Sequence, residues 1–470
     1  MPSADASLVI KGGRVIDATG ERVADVVVGS DGTIVALGSD LSAPRTLDAT
    51  GCIVTPGLVD LHAHLRQPGK EEAETIESGS RCAALGGFTA VVAMPNTTPA
   101  IDSAGVVREV QAFGRGALCD VAVSGAITVG RLGESLAPMA EMAALGVRLF
   151  TDDGSGVEDN RLMRRAMEYA AGLPQPIVLA QHCEDGALNA GGHMNEGEWS
   201  SRLGIPGQPA EAEELMVMRD IALARLTGQR IHFQHLSTAA SVAMVRAAKA
   251  AGLPVTAEVT GHHLALTDAL CASYDPVFKV NPPLRTPSDV LAVRAGVAEG
   301  VIDAIATDHA PHTQESKEEP FDMAPPGMLG LETILAVALT TLVDGAGAAG
   351  DGDGGGTPEG FNAEGVVPVK VTNTRNGRSG EHRTGIADVI GARSWRPAAI
   401  VGLEEQGGPI GEGRPANLAV IDPNATWTVD ANASASRSRN NPWAGLELRG
   451  RVRHTIYRGE PVVIDGEAQR

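Results

Sequence analysis

The chain has 470 residues, and its 38 lysines and arginines against 58 aspartates and glutamates give a formal net charge of −20. That length accommodates a barrel of about 250 residues with a satellite domain. The acidic balance argues against a nucleic-acid partner, because phosphate binding needs a concentrated basic surface. The sequence contains no apolar run long enough to span a bilayer and no signal-peptide pattern at its start, so we expect no membrane association and a cytoplasmic location.

Both ends of the chain predict β-structure. Residues 1–56 and 410–470 alternate apolar and polar positions between glycine turns, as in Val26-Val27-Val28. Each stretch is too short to bury a core well alone, so we expect the two to form the halves of one β-sandwich. Residues 57–409 between them form the second predicted domain.

The central region predicts eight strands that alternate with helices. The first is the run Ile53–His64, which ends in two histidines one residue apart. The other strand-like runs are Thr89–Pro95, Val121–Ile127, Val147–Phe150, Pro176–Ala180, Arg230–Phe233, Val255–Glu258 and Ile302–Ala306. The helix-permissive stretches between them include Glu71–Leu85, Asn160–Ala171, Ala210–Leu226 and Ala239–Ala251. This alternation predicts an α/β fold, a (β/α)8 TIM barrel.

Histidine and aspartate recur at the ends of the predicted strands. His62 and His64 share a strand face, so their imidazole nitrogens can reach one metal ion. His182, His235 and Asp308 follow other apolar runs in the same way. Catalytic residues of such barrels project from the carboxyl ends of different strands. The pattern therefore predicts a metal site at that end of the barrel.

One segment, residues 344–383, does not fit the alternation. It contains a glycine-rich run, Gly345–Gly356, and too little apolar content to offset the entropy of ordering. We expect a mobile surface insertion with a short hairpin near residues 366–372, and we assign it no chemistry.

Seven motifs together resemble the dihydroorotases of the amidohydrolase superfamily. They are Asp60–Gly69, Met94–Thr97, Phe150–Gly154, His182–Asp185, His235–Thr238, Asn281–Arg285 and Ala306–His312. The resemblance covers nearly the whole chain except the insertion. It implies zinc-dependent, reversible hydrolysis of the cyclic amide of dihydroorotate to N-carbamoyl-aspartate, a step of pyrimidine (UMP) biosynthesis.

The resemblance also implies ligands for one or two zinc ions. His62, His64 and Asp308 would hold one ion and His182 and His235 the second, with Asp153 bridging or completing the site. Asp152 competes with Asp153 for that place, and only the family spacing to His182 favours Asp153. Asp308 would also act as general acid and base. Asp60 is expected to orient a ligating histidine.

Substrate contacts are implied at seven positions, namely His64, Arg66, Asn96, Asn281, His312, Pro326 and Gly327. Arg66, Asn96 and His312 resemble the family's clamp on the substrate carboxylate, where a guanidinium fork suits two oxygens. Asn281 and the backbone at Pro326-Gly327 resemble the groups that hold the ring. We expect the loop 315–329 to close over the substrate.

Two other functions stay open at this stage. A related cyclic-amide hydrolase, such as an allantoinase or hydantoinase, would share the barrel and the metals, but its substrate lacks the ring carboxylate that Arg66 would bind. Dihydropyrimidinases and hydantoinases, and many dihydroorotases of another type, bridge two metals with a carboxylated lysine on strand four. The run Val147–Asp153 has no lysine, which favours the dihydroorotase type with a bridging aspartate. An inactive structural partner of aspartate carbamoyltransferase is the second alternative. The sequence is compatible with a homo-oligomer and with a complex with that enzyme. It is also compatible with catalysis in either direction in the cell.

Overall fold

The computed structural model describes residues 6–343 and 384–470. The predicted insertion at residues 344–383, with its hairpin, lies outside the described residues. Within them, no helix is long and apolar enough to cross a membrane.

The strands fall into three groups along the chain. The N-terminal strands are β1 (Ala6–Lys11), β2 (Arg14–Asp17), β3 (Gly20–Val23), β4 (Asp25–Gly29), β5 (Ile34–Gly38), β6 (Arg45–Asp48) and β7 (Ile53–Pro56). The central strands are β8 (Leu58–Ala63), β9 (Phe88–Ala93), β10 (Asp120–Val123), β11 (Leu149–Phe150), β12 (Val178–Gln181), β13 (Met194–Asn195), β14 (Gly207–Gln208), β15 (Ile231–Phe233), β16 (Val255–Thr260) and β17 (Ala304–Ala306). The C-terminal strands are β18 (Leu418–Thr428), β19 (Glu447–Tyr457), β20 (Glu460–Ile464) and β21 (Glu467–Ala468).

The helices lie in the central region. They are α1 (Ile76–Leu85), α2 (Ala104–Phe113), α3 (Met139–Ala144), α4 (Asn160–Ala171), α5 (Glu198–Leu203), α6 (Glu211–Thr227), α7 (Ala239–Ala250), α8 (Gly261–Ala265), α9 (Pro287–Ala298), α10 (Gln314–Lys317), α11 (Ile334–Leu342), α12 (Ile386–Arg393) and α13 (Trp395–Val401). Helix α1 begins five residues later than the sequence predicts. Its N-cap is Thr75, whose side chain accepts a hydrogen bond from the Ser78 amide at 3.1 Å.

Eight parallel strands form the barrel. Three pair in the order β10-β9-β8 and five in the order β11-β12-β15-β16-β17. Parallel bridges join the two sheets at both seams, one between Gly125 and Phe150 and the other between Ala63 and His309. Every residue of β8 and β9 is buried, as expected for parallel strands covered on both faces. The structure therefore confirms the (β/α)8 barrel.

The second domain is a β-sandwich built from both ends of the chain. One sheet has the order β5-β4-β1-β6, and the other has the order β21-β20-β19-β18-β7-β2-β3, so it joins N-terminal and C-terminal strands. Ile10 and Val26 of the first sheet share one apolar cluster with Val54, Val420 and Ile456 of the second. This confirms the predicted sandwich, while the exact domain limits at 56 and 409 stay a prediction.

The run Ile53–His64 is two strands rather than the single strand that the sequence predicts. Strand β7 ends at Pro56 in the sandwich and β8 begins at Leu58 in the barrel. The chain passes between them at Gly57, where a Cβ atom would lie 2.0 Å from Thr89 Oγ1. Only glycine permits this close approach of the backbone to β9.

Candidate metal centre and substrate pocket

Six side chains converge at the carboxyl ends of the barrel strands. All are buried, with exposed fractions of 6% or less. They are His62 and His64 at the end of β8, Asp153 after β11, His182 after β12, His235 after β15 and Asp308 after β17. The sequence predicts all six as metal ligands, and the structure brings all six together.

Asp153 lies between the four histidines. Its Oδ1 atom is 3.2 Å from His62 Nε2 and 3.6 Å from both His182 Nδ1 and His235 Nε2, and its Oδ2 atom is 3.5 Å from His64 Nε2. Burial alone would raise the pKa of Asp153, but the surrounding histidines hold it well below its usual value. The central carboxylate is therefore ionised.

The donor set fits a metal ion. Asp153 belongs to two groups whose ligand atoms all lie within 4.8 Å of one another, one with His62 and His64 and the other with His182 and His235. Asp153 Oδ1 and His62 Nε2 are buried and have no hydrogen-bond partner. Leaving such atoms unpaired is costly, and a cation between them would satisfy both. Imidazole nitrogen with carboxylate oxygen is a ligand set that suits zinc.

Asp308 borders the first of these groups. Its Oδ1 atom is 3.0 Å from His64 Nε2 and 3.5 Å from His62 Nε2. Burial would raise its pKa, but the charge of His62 and the hydrogen bond from His64 outweigh burial and hold the pKa well below its usual value. Asp308 has a φ of 45°, a backbone conformation that costs energy for a non-glycine residue and is often found at functional sites.

The open choice between Asp152 and Asp153 has a geometric answer. Asp152 Oδ1 accepts hydrogen bonds from the backbone amides of Ile127 at 2.8 Å and Thr128 at 3.0 Å, and its Oδ2 accepts one from the Thr128 hydroxyl. Its carboxylate therefore fastens the loop after β10. Asp153, and not Asp152, lies among the histidines.

A cavity of about 210 Å³ opens beside this cluster. All seven predicted substrate-binding residues line it, one of which, His64, is also a candidate ligand, together with four further candidate ligands and two neighbours. The lining residues are His64, Arg66, Asn96, Asp153, Gly154, His182, His235, Asn281, Asp308, Ala310, His312, Pro326 and Gly327. Of the six candidate ligands, only His62 is not among the lining residues.

Arg66 is the cation of this cavity. Its side chain is 7% exposed, its Nε donates to Pro311 O at 3.0 Å, and its Nη2 lies 3.4 Å from His312 Nε2. Burial lowers the pKa of Arg66 to about 10, so the guanidinium keeps its charge at neutral pH. Its φ of 60° directs the side chain into the site from a left-handed backbone. A fixed cation beside the carboxylate and histidine cluster can bind an anionic group of a ligand.

Three other lining residues, Asn96, His312 and Gly327, are fixed by contacts within the protein. Asn96 Oδ1 accepts a hydrogen bond from His64 Nδ1 at 2.8 Å, and His312 Nε2 donates to Pro326 O at 2.8 Å. Burial, with Arg66 nearby, lowers the pKa of His312 to about 2, so its ring is neutral. Gly327 has a φ of 146°, and a Cβ atom there would lie 2.8 Å from His312 Nε2.

Comparison with known proteins gives the family. A protein named dihydroorotase from Streptomyces coelicolor is 44% identical over 468 residues, which is 98% of this chain and 99% of the relative. A second, from Mycobacterium tuberculosis, is 45% identical over 467 residues, with the same coverage of the two chains. The chain belongs to the dihydroorotase family. The model of the Dihydro-orotase-like family matches residues 51–241, which include five of the six candidate ligands.

Solved structures of other amidohydrolases share the fold of this dihydroorotase family member. An L-hydantoinase (dihydropyrimidinase) from Arthrobacter aurescens has a TM-score of 0.80 at 23% identity and covers 99% of this chain and 98% of its own. A D-hydantoinase has a TM-score of 0.78 at 21% identity, with 98% and 96% coverage. At such identities the likeness shows the fold alone.

Two carboxylates of this dihydroorotase-like site have no role in the sequence prediction. Glu258 Oε1 accepts from His62 Nδ1 at 2.8 Å and Oε2 accepts from His232 Nε2 at 3.1 Å. Glu184 Oε2 accepts from His182 Nε2 at 2.7 Å and from the side-chain amide of Asn281. Burial would raise both pKa values, but the histidines hold each carboxyl at about 2. The signal that could have indicated Glu258 is a lone acid inside a buried strand.

The role expected of Asp60 is wrong. Its two oxygens accept from the Thr307 amide at 2.9 Å and the Thr307 hydroxyl at 2.5 Å, so it joins β8 to the end of β17. Burial raises the pKa of Asp60 to about 6. Glu258 on β16 orients the candidate ligand His62 instead, because its Oε1 lies 2.8 Å from His62 Nδ1.

Proposed function

We propose that this chain is a zinc-dependent dihydroorotase, which opens the ring of dihydroorotate to N-carbamoyl-aspartate and closes it in reverse. The observation that carries the proposal is one cavity that holds both a buried cation, Arg66, and the histidine and carboxylate cluster around Asp153. A ring amide that also bears a carboxylate needs both. The family relationship supports the same substrate.

The candidate ligands divide between two metal positions. His62, His64 and Asp308 would hold one zinc ion and His182 with His235 the other, with Asp153 shared between them. Zinc, when bound, supplies Lewis acidity toward the amide carbonyl and toward the attacking water. The buried unpartnered atoms of His62 and Asp153 support this assignment.

Asp308 is proposed as the general acid and base. Its ionised carboxylate borders the cavity and can accept the proton of the water that adds to the ring carbonyl. When the carbon–nitrogen bond breaks, the same carboxyl returns that proton to the departing nitrogen. The reverse reaction uses the two transfers in the opposite order.

The protein's other groups would place the substrate. Arg66 and Asn96, with His312, are proposed to bind the ring carboxylate, since a guanidinium fork and an amide can donate to its two oxygens. Asn281 is proposed to contact the ring, because its Oδ1 is buried without a partner while its amide is held by Glu184. His64, Pro326 and Gly327 also line the cavity, and they are proposed to contact the substrate.

The test is turnover of dihydroorotate, hydantoin and allantoin by the zinc-replete protein and by its Arg66→Met variant. We expect turnover of dihydroorotate and a fall in kcat/KM of about 100-fold or more in the variant, because a charge-assisted bidentate contact is lost. Arg165→Met, which removes a surface arginine on α4, is the matched control and should leave the rate unchanged. Turnover of the neutral rings alone would favour a hydantoinase or allantoinase, and no turnover at all would favour the inactive structural partner.

Association with other chains stays a prediction. Light scattering of the purified protein would test for a homo-oligomer. The same measurement after mixing with aspartate carbamoyltransferase would test for that complex.

A further inference from the structure

The connection between β18 and β19 leaves the sandwich and lies across the barrel. We call residues 429–446 the crossover segment. Its Ser436 hydroxyl donates to Glu74 at 2.5 Å and its Ser438 hydroxyl donates to Ala73 O at 2.8 Å, both in the loop after β8. The segment therefore reaches the face of the barrel that holds the candidate site.

Asn440 of the crossover segment contacts the loop after β17 at four places. Its Nδ2 donates to Ala310 O at 2.9 Å and to Gly327 O at 3.1 Å, and its Oδ1 accepts from the His312 amide at 3.2 Å. Its backbone carbonyl accepts from the Leu329 amide at 3.0 Å. The side chain is 5% exposed, so all of these bonds are shielded from water.

The bonds converge on the part of the loop that lines the cavity. Ala310, His312 and Gly327 all form the cavity wall, and they lie on the outgoing and returning arms of one loop. A single amide that donates to both arms fixes the distance between them. His312 in turn lies beside Arg66, the proposed carboxylate-binding cation.

A separate set of contacts holds the outer side of this loop. Lys317 Nζ donates to the carbonyls of Pro276 at 2.8 Å, Lys279 at 3.3 Å and Pro325 at 2.9 Å. The Gly327 amide also donates to Lys279 O at 2.9 Å. These bonds do not involve Asn440, so loss of its side chain would shift the inner edge of the loop without releasing the whole loop.

We propose that Asn440 is a positioning residue for the substrate pocket: it sets the places of His312 and Gly327 from the sandwich domain. This inference rests on the proposed function. Asn440 touches neither the candidate ligands nor the cavity, and it acts through the loop that it fastens.

The sharpest variant is Asn440→Asp, which keeps the shape and the Oδ1 acceptor but places an oxygen against the carbonyls of Ala310 and Gly327. We expect kcat/KM for dihydroorotate to fall about 10- to 100-fold, mainly through KM, because small misplacements of binding groups have effects of that size. The matched control is Asn441→Asp. Asn441 is 7% exposed, and its Oδ1 accepts from the Trp443 amide at 3.0 Å within the crossover segment, so this change should leave KM unaltered.

Two further readouts separate positioning from general stability. Hydrogen exchange of the His312 and Leu329 amides, measured without substrate, should become faster in Asn440→Asp, because repulsion between the new oxygen and the carbonyls of Ala310 and Gly327 moves residue 440 away from both amides. Exchange of the same amides should stay unchanged in Asn441→Asp. The double variant Asn440→Asp/His312→Ala should lose less activity than the product of the two single losses, because both changes disturb the same contact.

The outcomes are distinct. Unchanged exchange of those two amides, or a lower kcat at wild-type KM with faster exchange throughout the sandwich, would overturn the inference. A wild-type protein that does not turn over dihydroorotate would overturn the proposed function. The exchange rates of the two amides would still show in that case whether Asn440 anchors the loop.

Discussion

At the scale of single residues, three of the clustered histidines have one ring nitrogen bound to an oxygen and the other directed at the carboxylates. The oxygen acceptors are Glu258 for His62, Asn96 for His64 and Glu184 for His182. An acceptor oxygen keeps the proton on the nitrogen that it binds, so the opposite nitrogen is the one that would present its lone pair to a bound metal ion. These opposite nitrogens face Asp153 and Asp308, so the rings are oriented to bind a metal ion together with the carboxylates.

Glu258 offers the clearest test of this arrangement. In Glu258→Gln the side chain loses its charge and one of the two oxygens that accept from His62 and His232. We expect the affinity for zinc to fall about 10- to 100-fold, since removal of such a partner of a ligating histidine typically has that effect. Metal content after dialysis against graded chelator would measure it.

The control for this prediction is Glu299→Gln, whose carboxylate pairs with Arg246 on the barrel surface. It should retain zinc like the unaltered chain. Equal zinc retention by Glu258→Gln and Glu299→Gln would show that Glu258 does not support a ligand.

At the scale of elements, the passage from β7 to β8 joins the sandwich to the strand that carries His62 and His64. The backbone of Gly57 crosses close to Thr89, and Gly57 O accepts from the Ser394 hydroxyl at 2.8 Å. A misplaced Gly57 would therefore move the start of β8. A change at Gly57 would therefore affect both the stability of the fold and the position of the strand that carries His62.

Gly57→Ala would place a Cβ atom 2.0 Å from Thr89 Oγ1 and 2.6 Å from Thr89 Cβ. We expect a loss of about 1–3 kcal/mol in the free energy of unfolding, because buried backbone has little room to shift. Urea denaturation would measure the loss. Gly116→Ala, where the added Cβ meets no atom within 4 Å, is the control and should change stability little. Equal stability of the two variants would mean that β9 yields at Thr89 without cost.

The sequence predicts the barrel well because each strand leaves a local apolar signal and each candidate ligand stands at or shortly after the end of one. Helix α4 begins and ends where the sequence predicts, since Asp159 caps one end and Gly172 the other. The break at Gly57 leaves no such signal, because the close approach involves Thr89 on another strand.

The supporting residues of the site are harder to predict for the same reason. Asp60 and Glu258 are both acids inside buried strands, and sequence spacing alone favours Asp60 because it lies two residues from His62. Which acid meets the ring depends on how β8 and β16 are placed around the barrel, with β17 between them, and this is a property of the closed barrel. Asn440 is further still from any predicted site residue along the chain, so only the folded structure brings it to His312.

At the scale of the whole molecule, the two chain ends and the barrel depend on one another. Strand β18 pairs with β7 on one side and β19 on the other, so the C-terminal strands complete a sheet that the N-terminal strands begin. The crossover segment between β18 and β19 then reaches the loops after β8 and β17. The sandwich thus contacts the barrel both where β8 begins and where the proposed pocket lies.

The segment 344–383 contains none of the predicted site residues, and we expect no chemical role for it. The flanking helices α11 and α12 are largely buried and pack on each other, and all six candidate ligands lie outside the segment. We therefore expect that a short glycine–serine linker in place of residues 344–383 preserves zinc binding and leaves kcat/KM for dihydroorotate within about twofold of the original. A second variant with a glycine–serine linker of the original length separates the effect of length from that of sequence. If both variants keep their melting temperature but lose turnover, the segment itself takes part in the reaction, and the assignment of the chemistry to the barrel loops alone is wrong.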